Sequence, residues 1–435
     1  MSENNMQSQL LAEFKEVQTS LNGHASEPFN QRRIKAIESF EKLGIPTTKH
    51  EEWKYTNTKK LVQNQYNFHS KSDITVEALK SFGLPDLKGI VLYFVNGIYH
   101  PELSDLNSAE GKVKIMTFKQ AQKDAPELLN SHYGEYSDEE GEAFTAMNTA
   151  LANDGIIVHV PENTTVEQPI ILRMISDTRE ENVGSILRNL IVVGKNAEVK
   201  IAESFRTYGD NSTFVNTLTE ISVAEDARVD YYKVQDESDN AYHIGTTNVL
   251  QKDKSYFYSA TVTLNGGFIR NNLNLKLDGE YIESFMYGLY VPNGKQHIDN
   301  HTVADHTKPN SVSNELYKGI LMDESTGVFN GKIFVRQEAQ KTNAYQNCRN
   351  VMTSDKATMN TKPQLEIWAD DVKCSHGTTT GQLNDEAIFY MQSRGIPKDE
   401  AIRLQLLAFA EDVVSQIKID GVREFLAEKI KEKLG

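Results

Sequence analysis

The feature that most limits the fold of this chain is a loose turn motif that returns about every thirty residues. From about Asp154 onward, short runs rich in Val, Ile, Thr, Tyr and Phe alternate with polar turns for well over two hundred residues. Each copy of the motif has an apolar residue, a few polar residues, and a small or apolar pair that begins the next run. The copies start at Val160, Val193, Val223, Leu250, Leu277, Leu321 and Met352.

The spacing of these copies separates two strand-rich folds. Successive copies start 33, 30, 27, 27, 44 and 31 residues apart. The strands of an ordinary sandwich recur about every 8 to 12 residues without a longer period. A period near thirty is typical of a solenoid, in which no coil can bury its inner face alone and stacking creates one continuous core. We therefore predict a mainly β chain built around a parallel β-helix, with a sandwich as the alternative.

Helical patterns flank the strand-rich part on both sides. In the first part, a run over 89–97 predicts a strand that ends in an Asn-Gly hairpin turn. After the strands, Asn384 can cap a helix, and the apolar stripes that follow suit either a cap on the solenoid or a docking surface for another protein. The predicted helices cover 7–20, 30–43, 139–152, 385–394, 398–417 and 422–434.

These patterns divide the chain into three predicted regions. Residues 1–150 form a mostly helical N-terminal region, residues 151–384 form the β-helix core, and residues 385–435 form a C-terminal helical segment. In the first region, Trp53 and Tyr55 are interpreted as packing anchors.

Charge and hydropathy exclude several classes of partner. The net charge is −15, from 46 Lys and Arg against 61 Asp and Glu, whereas nucleic acids and anionic membranes select positive proteins. Residues 1–9 are polar and lack the apolar stretch of a signal peptide, and no run approaches the roughly 20 apolar residues of a membrane span. The two cysteines fit a reducing compartment. We expect a cytoplasmic protein that binds neither nucleic acid nor membrane.

Cys374 and His376 are the strongest candidate ligands. On a strand, residues i and i+2 leave the same face, so both side chains can reach one metal centre. An iron-sulfur cluster takes about four ligands, mostly thiolates, and the only other thiol is Cys348. The pair can therefore supply one or two ligands to a site that a partner or a small-molecule thiol completes. The alternative is a buried structural thiol beside a hydrogen-bonded turn histidine.

The segment 297–306 is a second place where metal ligands gather. On an extended strand His297, Asp299 and His301 share one face, whereas His306 lies at an odd offset and points the other way. The segment suits either a metal site or a polar ladder at a solenoid corner, and the strand geometry favours the ladder.

Two features of the sequence suggest an enzyme. The run 288–296 resembles a phosphate loop, but it has five residues between its glycines, Pro292 among them, and no Ser or Thr after Lys295, so ATP binding is rejected. An acidic β-helix also suits a polysaccharide lyase or hydrolase that uses strand-borne carboxylates. The candidates for that chemistry are Asp299, Asp305, Asp370 and Asp371.

A family resemblance spans nearly the whole chain. The run 363–383, which contains Lys373-Cys374-Ser375-His376-Gly377, closely resembles the signature of the SufB/SufD family of iron-sulfur cluster assembly proteins. The runs 51–56, 297–306, 314–319 and 385–396 are similar to that family as well. The length and the sparse cysteines favour the branch of the family with the less fully equipped cluster site.

The resemblance implies a right-handed parallel β-helix between helical regions and a scaffold subunit that is not itself an enzyme. It implies pairing with a SufB-like subunit and docking of a SufC-like ABC ATPase on the C-terminal helices, and it leaves open a homodimer when the chain is alone. Cys374 and His376 correspond to the family's Cys and His near the shared site of a transient, nascent iron-sulfur cluster. No role carries over to Cys348.

Overall fold

Two parallel sheets, wound together as a β-helix of about eight turns, form the centre of the computed structural model and confirm the predicted fold class. The structure describes residues 5–20, 27–81, 89–106, 111–152 and 154–435, so the first four residues of the polar N-terminus lie outside it. Among the described residues, no helix combines the length and the apolar character that a membrane crossing requires.

The strands alternate between the two sheets, so each coil contributes one strand to each. From β5 onward the odd-numbered strands form one sheet and the even-numbered strands form the other. The strands are β1 Ile90–Val95, β2 Ile98–Tyr99, β3 Lys114–Thr117, β4 Asp154–Val160, β5 Ile170–Asp177, β6 Val183–Val193, β7 Glu198–Tyr208, β8 Thr213–Val223, β9 Arg228–Asp236, β10 Ala241–Gln251, β11 Tyr256–Asn265, β12 Phe268–Leu277, β13 Glu283–Tyr290, β14 His297–His306, β15 Val312–Leu321, β16 Thr326–Val335, β17 Asn343–Met352, β18 Thr358–Ile367 and β19 Lys373–Gly381.

The helices lie before and after this core. They are α1 Asn5–Ser20, α2 Pro28–Leu43, α3 Lys59–Gln63, α4 Val76–Ser81, α5 Phe118–Asp124, α6 Pro126–His132, α7 Ala143–Leu151, α8 Asp385–Ser393, α9 Lys398–Val414 and α10 Asp420–Lys433, with a 3-10 turn at Glu51–Trp53. Asn384 caps α8 as predicted, because its side-chain oxygen accepts from the amides of Glu386 and Ala387.

The N-terminal region contributes strands to both sheets. The predicted Asn-Gly hairpin is present, with Phe94 paired to Tyr99 across the turn, and β1 continues the odd sheet by pairing with β5. At the same end, the four-residue strand β3 runs antiparallel to β4 and ends the even sheet. The parallel progression of coils therefore stops at short antiparallel strands.

One corner of the β-helix explains the turn motif. From β4 onward, seven of the eight described connections from an even strand to the next odd strand contain one residue with φ between 53° and 66°, and the connection from β18 to β19 is the exception. These residues are Asn163, Asn196, Asp226, Lys254, Tyr281, Asn310 and Lys341. Amides at this corner donate to the next coil, as Asn196 does to the Glu225 carbonyl at 3.0 Å. The stacked corners repeat once per coil, which sets the thirty-residue period.

The spacing of 44 residues marks a change of corner. The first five copies of the motif follow even strands, whereas the copies at Leu321 and Met352 follow β15 and β17 at the opposite corner. The connection after β14 lacks the first apolar residue of the motif, because it begins with the polar His306.

Tyr281 is the bulky exception among the corner residues. An aromatic residue at φ 58° is strained, while 58% of its side chain is exposed and gains little from packing. We expect Tyr281→Asn to raise the free energy of unfolding by about 1 kcal/mol, because Asn tolerates this conformation. Urea denaturation followed by circular dichroism measures the change. The reverse substitution Asn310→Tyr is the matched control and should destabilise; unchanged midpoints for both would refute the argument.

The C-terminal helices pack along the side of the β-helix and do not cap its end. Val413 on α9 and Leu426 on α10 join one apolar cluster with Tyr258 and Leu289 on the outer face of the odd sheet. Lys318 on β15 anchors α9 by donating to the Phe409 carbonyl at 2.8 Å. The cap interpretation of these helices is therefore wrong, because an apolar stripe indicates burial without indicating the surface that covers it.

The N-terminal helices cover the outer face of the even sheet. Phe144 on α7 packs with Trp53 and with Phe214 on β8, and all three are buried. The two helical units thus occupy opposite outer faces.

Candidate functional site

Cys374 and His376 lie on β19, the last strand of the odd sheet. In the parallel register Cys374 is opposite Ala344 and His376 is opposite Gln346, two residues that point into the core from β17. Both ligand candidates therefore leave the inner face of the last coil. Because no described coil follows, Cys374 is only half-buried and His376 is exposed.

The last coil leaves one end of the β-helix uncovered, and this end is called the open end below. Among the described strands, β18 and β19 each pair with a neighbour on one side only. Their inner faces carry half-buried apolar side chains such as Met359 and Leu365, and Thr378 donates to the Thr361 hydroxyl at 3.2 Å. The open end thus combines unpaired strand edges with an exposed section of the core.

The Cys374 thiol is not activated within this chain. Burial raises its pKa, and only a hydrogen bond with the backbone of Ala344 opposes that effect. Lys373 is exposed and leaves the opposite face of the strand, so its ammonium does not provide a positive charge beside the thiol. A thiolate at Cys374 therefore needs a cation from outside, such as a metal ion.

Cys348 lies one coil further in and is chemically protected. Its side chain is 1% exposed, between Tyr317 and Thr378 in the register of the odd sheet. Burial raises the pKa of this thiol to about 12. The second cysteine is therefore an interior residue.

His297, Asp299 and His301 share the outer face of β14, but the contacts around them are structural. Thr56 donates to one Asp299 carboxylate oxygen at 2.6 Å and Arg270 donates to the same oxygen at 3.1 Å. His301 Nε2 lies 2.9 Å from the other oxygen. Burial acts to raise the pKa of Asp299, but His301 and Arg270 outweigh it and hold this pKa well below its ordinary value. The cluster thus fastens the N-terminal region to the sheet.

His306 faces the interior, as the odd offset predicted. Its Nε2 lies 2.8 Å from the Ser313 hydroxyl, and burial lowers the pKa of the imidazole to about 4. The three histidines of this strand therefore do not meet at one metal centre.

The 3-10 turn at Glu51–Trp53 connects the N-terminal region to several further coils of the even sheet. Glu52 accepts from Lys332 at 2.6 Å, and Glu51 pairs with Lys362 on the last strand of the even sheet. The Trp53 ring lies 4.0 Å from the Arg270 guanidinium and is 4% exposed, so it is a packing anchor as predicted. Tyr55, by contrast, is 42% exposed, so its interpretation as a packing anchor is wrong.

The carboxylates of the polysaccharide interpretation do not form a catalytic pair. Asp299 is fully buried, and Asp305 is held by two bonds from Arg336, at 2.8 and 3.0 Å. Asp370 and Asp371 lie in the exposed turn after β18. Since hydrolysis needs paired carboxylates that flank one glycosidic bond, this arrangement removes the support for a hydrolase.

The comparisons with known proteins agree on one family. Residues 175–409 match the model described as SUF system FeS cluster assembly, SufBD core domain, and residues 4–172 match the SufBD protein N-terminal region. The chain is 33% identical to an iron-sulfur cluster assembly SufBD family protein of Synechocystis sp., over 90% of this chain and 88% of that protein. It is 30% identical to the iron-sulfur cluster assembly protein SufD of Escherichia coli, over 90% of each. It is 28% identical to SufD of Bacillus subtilis, over 92% of this chain and 93% of that protein.

Proposed function

The chain belongs to the SufBD family of iron-sulfur cluster assembly proteins, and we propose that it is the scaffold subunit of a SUF assembly complex. In this proposal it pairs with a SufB-type subunit through the open end and binds a SufC-type ABC ATPase through residues 385–435. Cys374 and His376 lie at a nascent cluster that both subunits hold. ATP hydrolysis belongs to the ATPase, and the chain itself catalyses no reaction.

The observation that carries the proposal is the position of Cys374 and His376 at the open end. A partner that pairs with β18 and β19 would bring its own terminal coil against their inner faces. One thiolate and one imidazole from this chain then form half of a four-ligand site. The nascent cluster is the cargo of this site and leaves it when assembly is complete.

Substitution of the two ligands tests the cluster site. We expect Cys374→Ser and His376→Ala each to lower the iron and sulfide bound by the anaerobically reconstituted complex by more than half, because each removes a ligand of a shared cluster. Acid-labile sulfide and iron assays measure the content, and size-exclusion chromatography verifies that the complex forms. Cys348→Ala is the matched control, since it removes the buried thiol and should leave the content unchanged. Unchanged content in both ligand variants would end this part of the proposal.

The surface of α8 supports the proposed docking of the ATPase. Phe389 is 72% exposed and Tyr390 is 59% exposed on this helix, whereas α9 and α10 have their apolar faces on the odd sheet. Adjacent exposed aromatic side chains are typical of the centre of a protein interface. Because removing α9 and α10 would uncover the odd sheet, a surface substitution is a sharper test than a deletion.

We expect Phe389→Asp to weaken binding of the ATPase by at least about thirtyfold, the loss typical of a buried aromatic hot spot. Isothermal titration calorimetry with the purified ATPase gives the affinity. Tyr281→Ala, which removes another exposed aromatic residue from a corner of the β-helix, should bind as the parent does. An unchanged affinity for Phe389→Asp would move the docking site elsewhere.

A second candidate function is an interaction scaffold without a ligand role. The raised pKa of Cys374 favours it, because an unactivated thiol is a poor ligand until a metal arrives. This function predicts that Phe389→Asp abolishes assembly of the three proteins while the Cys374 and His376 variants load clusters normally. The iron and sulfide content of the Cys374 and His376 variants therefore separates the two candidates, since both predict that Phe389→Asp weakens ATPase binding.

A further inference from the structure

A row of interior residues leads from His376 into the core. In the register of the odd sheet, His376 on β19 is opposite Gln346 on β17, and Gln346 is opposite Glu315 on β15. Adjacent strands lie about 4.8 Å apart, so these three side chains are successive neighbours along the axis of the β-helix. Gln346 and Glu315 are each 1% exposed, whereas His376 is exposed at the open end.

Gln346 is held with its amide toward Glu315. Its Nε2 donates to a Glu315 carboxylate oxygen at 2.8 Å. The side chain also lies over Gly331, where an added Cβ would come within 2.2 Å of the same nitrogen. Because its nitrogen is committed, the Gln346 amide has a fixed orientation. Its oxygen is buried and has no hydrogen-bond partner among the described residues.

This arrangement is costly for a core position. Burial of a carboxyl two coils from the open end, and of an acceptor that has no donor, lowers the stability of the fold. An apolar pair at these positions would not have this cost. Burial raises the pKa of Glu315 to about 7, which reflects the same penalty. Polar interior groups of this kind call for an explanation beyond packing.

We propose that Gln346 is a positioning residue for His376, whose imidazole N–H donates to the Gln346 side-chain oxygen when a partner covers the open end, and that Glu315 fixes the orientation of the Gln346 amide. The inference rests on the proposed function, since it assigns His376 a ligand role. A metal-binding histidine normally donates its second ring N–H to an oxygen, which sets the tautomer and directs the other nitrogen to the metal. With one ring N–H of His376 donated to Gln346, the other ring nitrogen is the one directed toward the shared site beside Cys374.

The tautomer of His376 tests the proposal without any metal. The complex of this chain with the SufB-type subunit and the ATPase is prepared with ¹⁵N-histidine in this chain only, and its imidazole nitrogens are observed by magic-angle-spinning NMR at about pH 8.5, above the ordinary imidazole pKa. The His376 signals are assigned by their loss in His376→Ala. We expect one tautomer to predominate in the parent, and Gln346→Met to change the tautomer ratio at least twofold.

Three further variants make the result specific. Glu315→Gln keeps an acceptor for the Gln346 amide and should preserve the parent ratio, whereas Glu315→Leu should change it. Asn347→Ala, on the opposite face of the same strand, is the control and should match the parent. If the Gln346→Met complex does not assemble, Gln346→Asn, which withdraws the amide by one methylene, provides the same comparison.

A parent-like tautomer ratio in the Gln346 variant would overturn the proposal. Failure of the proposed function has a different signature, because His376→Ala would then load iron and sulfide normally whatever the tautomer ratio shows.

Discussion

Replacing Glu220 by alanine is expected to lower the free energy of unfolding by about 3–5 kcal/mol, the usual cost of leaving a buried charge without its partner. Arg188 Nη2 donates to Glu220 at 2.6 Å, and both side chains are completely buried between the even sheet and the N-terminal region. Glu220 also accepts from the amides of Gly134 and Tyr136, at 2.8 and 3.1 Å, and the Arg188 guanidinium lies 4.1 Å from the Tyr133 ring. The substitution would therefore leave the buried donors of Arg188 and of the Gly134–Tyr136 turn without an acceptor.

Two comparisons identify the mechanism. The double variant Arg188→Met/Glu220→Leu should recover the part of the loss that comes from the unpaired charge, because apolar replacement of a whole buried pair is often close to neutral, while the Gly134 and Tyr136 amides stay without an acceptor. Glu225→Ala, which breaks the exposed pair with Lys195 at 2.6 Å, should cost less than about 1 kcal/mol. Urea denaturation monitored by circular dichroism measures all three. Equal losses for Glu220→Ala and Glu225→Ala would show that burial of the pair does not matter.

Glu315→Gln is expected to stabilise the chain at pH 8 by about 3 kcal/mol. Burial raises the pKa of this carboxyl to about 7 in the folded chain, against an ordinary value of 4.5. Between those pH values the unfolded chain binds fewer protons than the folded chain, so the stability of the parent falls as the pH rises from about 4.5 to 7. Glutamine is neutral at every pH and avoids this loss.

The pH dependence distinguishes this effect from general repacking. The stability difference between Glu315→Gln and the parent should be small near pH 4 and should reach its full size above pH 7. Glu366→Gln, at an exposed position of β18, is the matched control and should stay within about 0.5 kcal/mol of the parent. A difference of the same size at pH 4 and pH 8 would mean that the carboxyl does not titrate as described.

The architecture was predictable because its turns are repeated features of the sequence. Polar residues that adopt a left-handed conformation, such as Asn163 and Asn196, recur once per coil and punctuate the apolar runs. Local rules were equally sufficient for the Asn96-Gly97 hairpin and for the Asn384 cap. Each of these features depends on a few neighbouring residues.

The buried polar pairs could not be predicted, because each of them joins residues that are distant in the sequence. Arg188 and Glu220 are 32 residues apart, and each reads as a solvent-exposed charge until the coils are stacked in register. The relation of His376 to Gln346 and Glu315 likewise depends on which residues of successive coils are opposite one another. The one signal in the sequence was the phase of these strand positions, outward for Arg188 and Glu220 and inward for Glu315, Gln346 and His376, and this phase is visible only once the period is known.

The different construction of the two ends of the β-helix has a consequence for the size of the assemblies that it can form. One end stops at β2 and β3, strands of two and four residues that run antiparallel to their neighbours, while the other presents the full-length edges of β18 and β19. A solenoid with two full-length edges can add copies head to tail without limit, as fibres do. Among the described strands only the open end offers full-length edges, so in the proposed complex pairing would be complete after a single partner and head-to-tail polymerisation would be blocked.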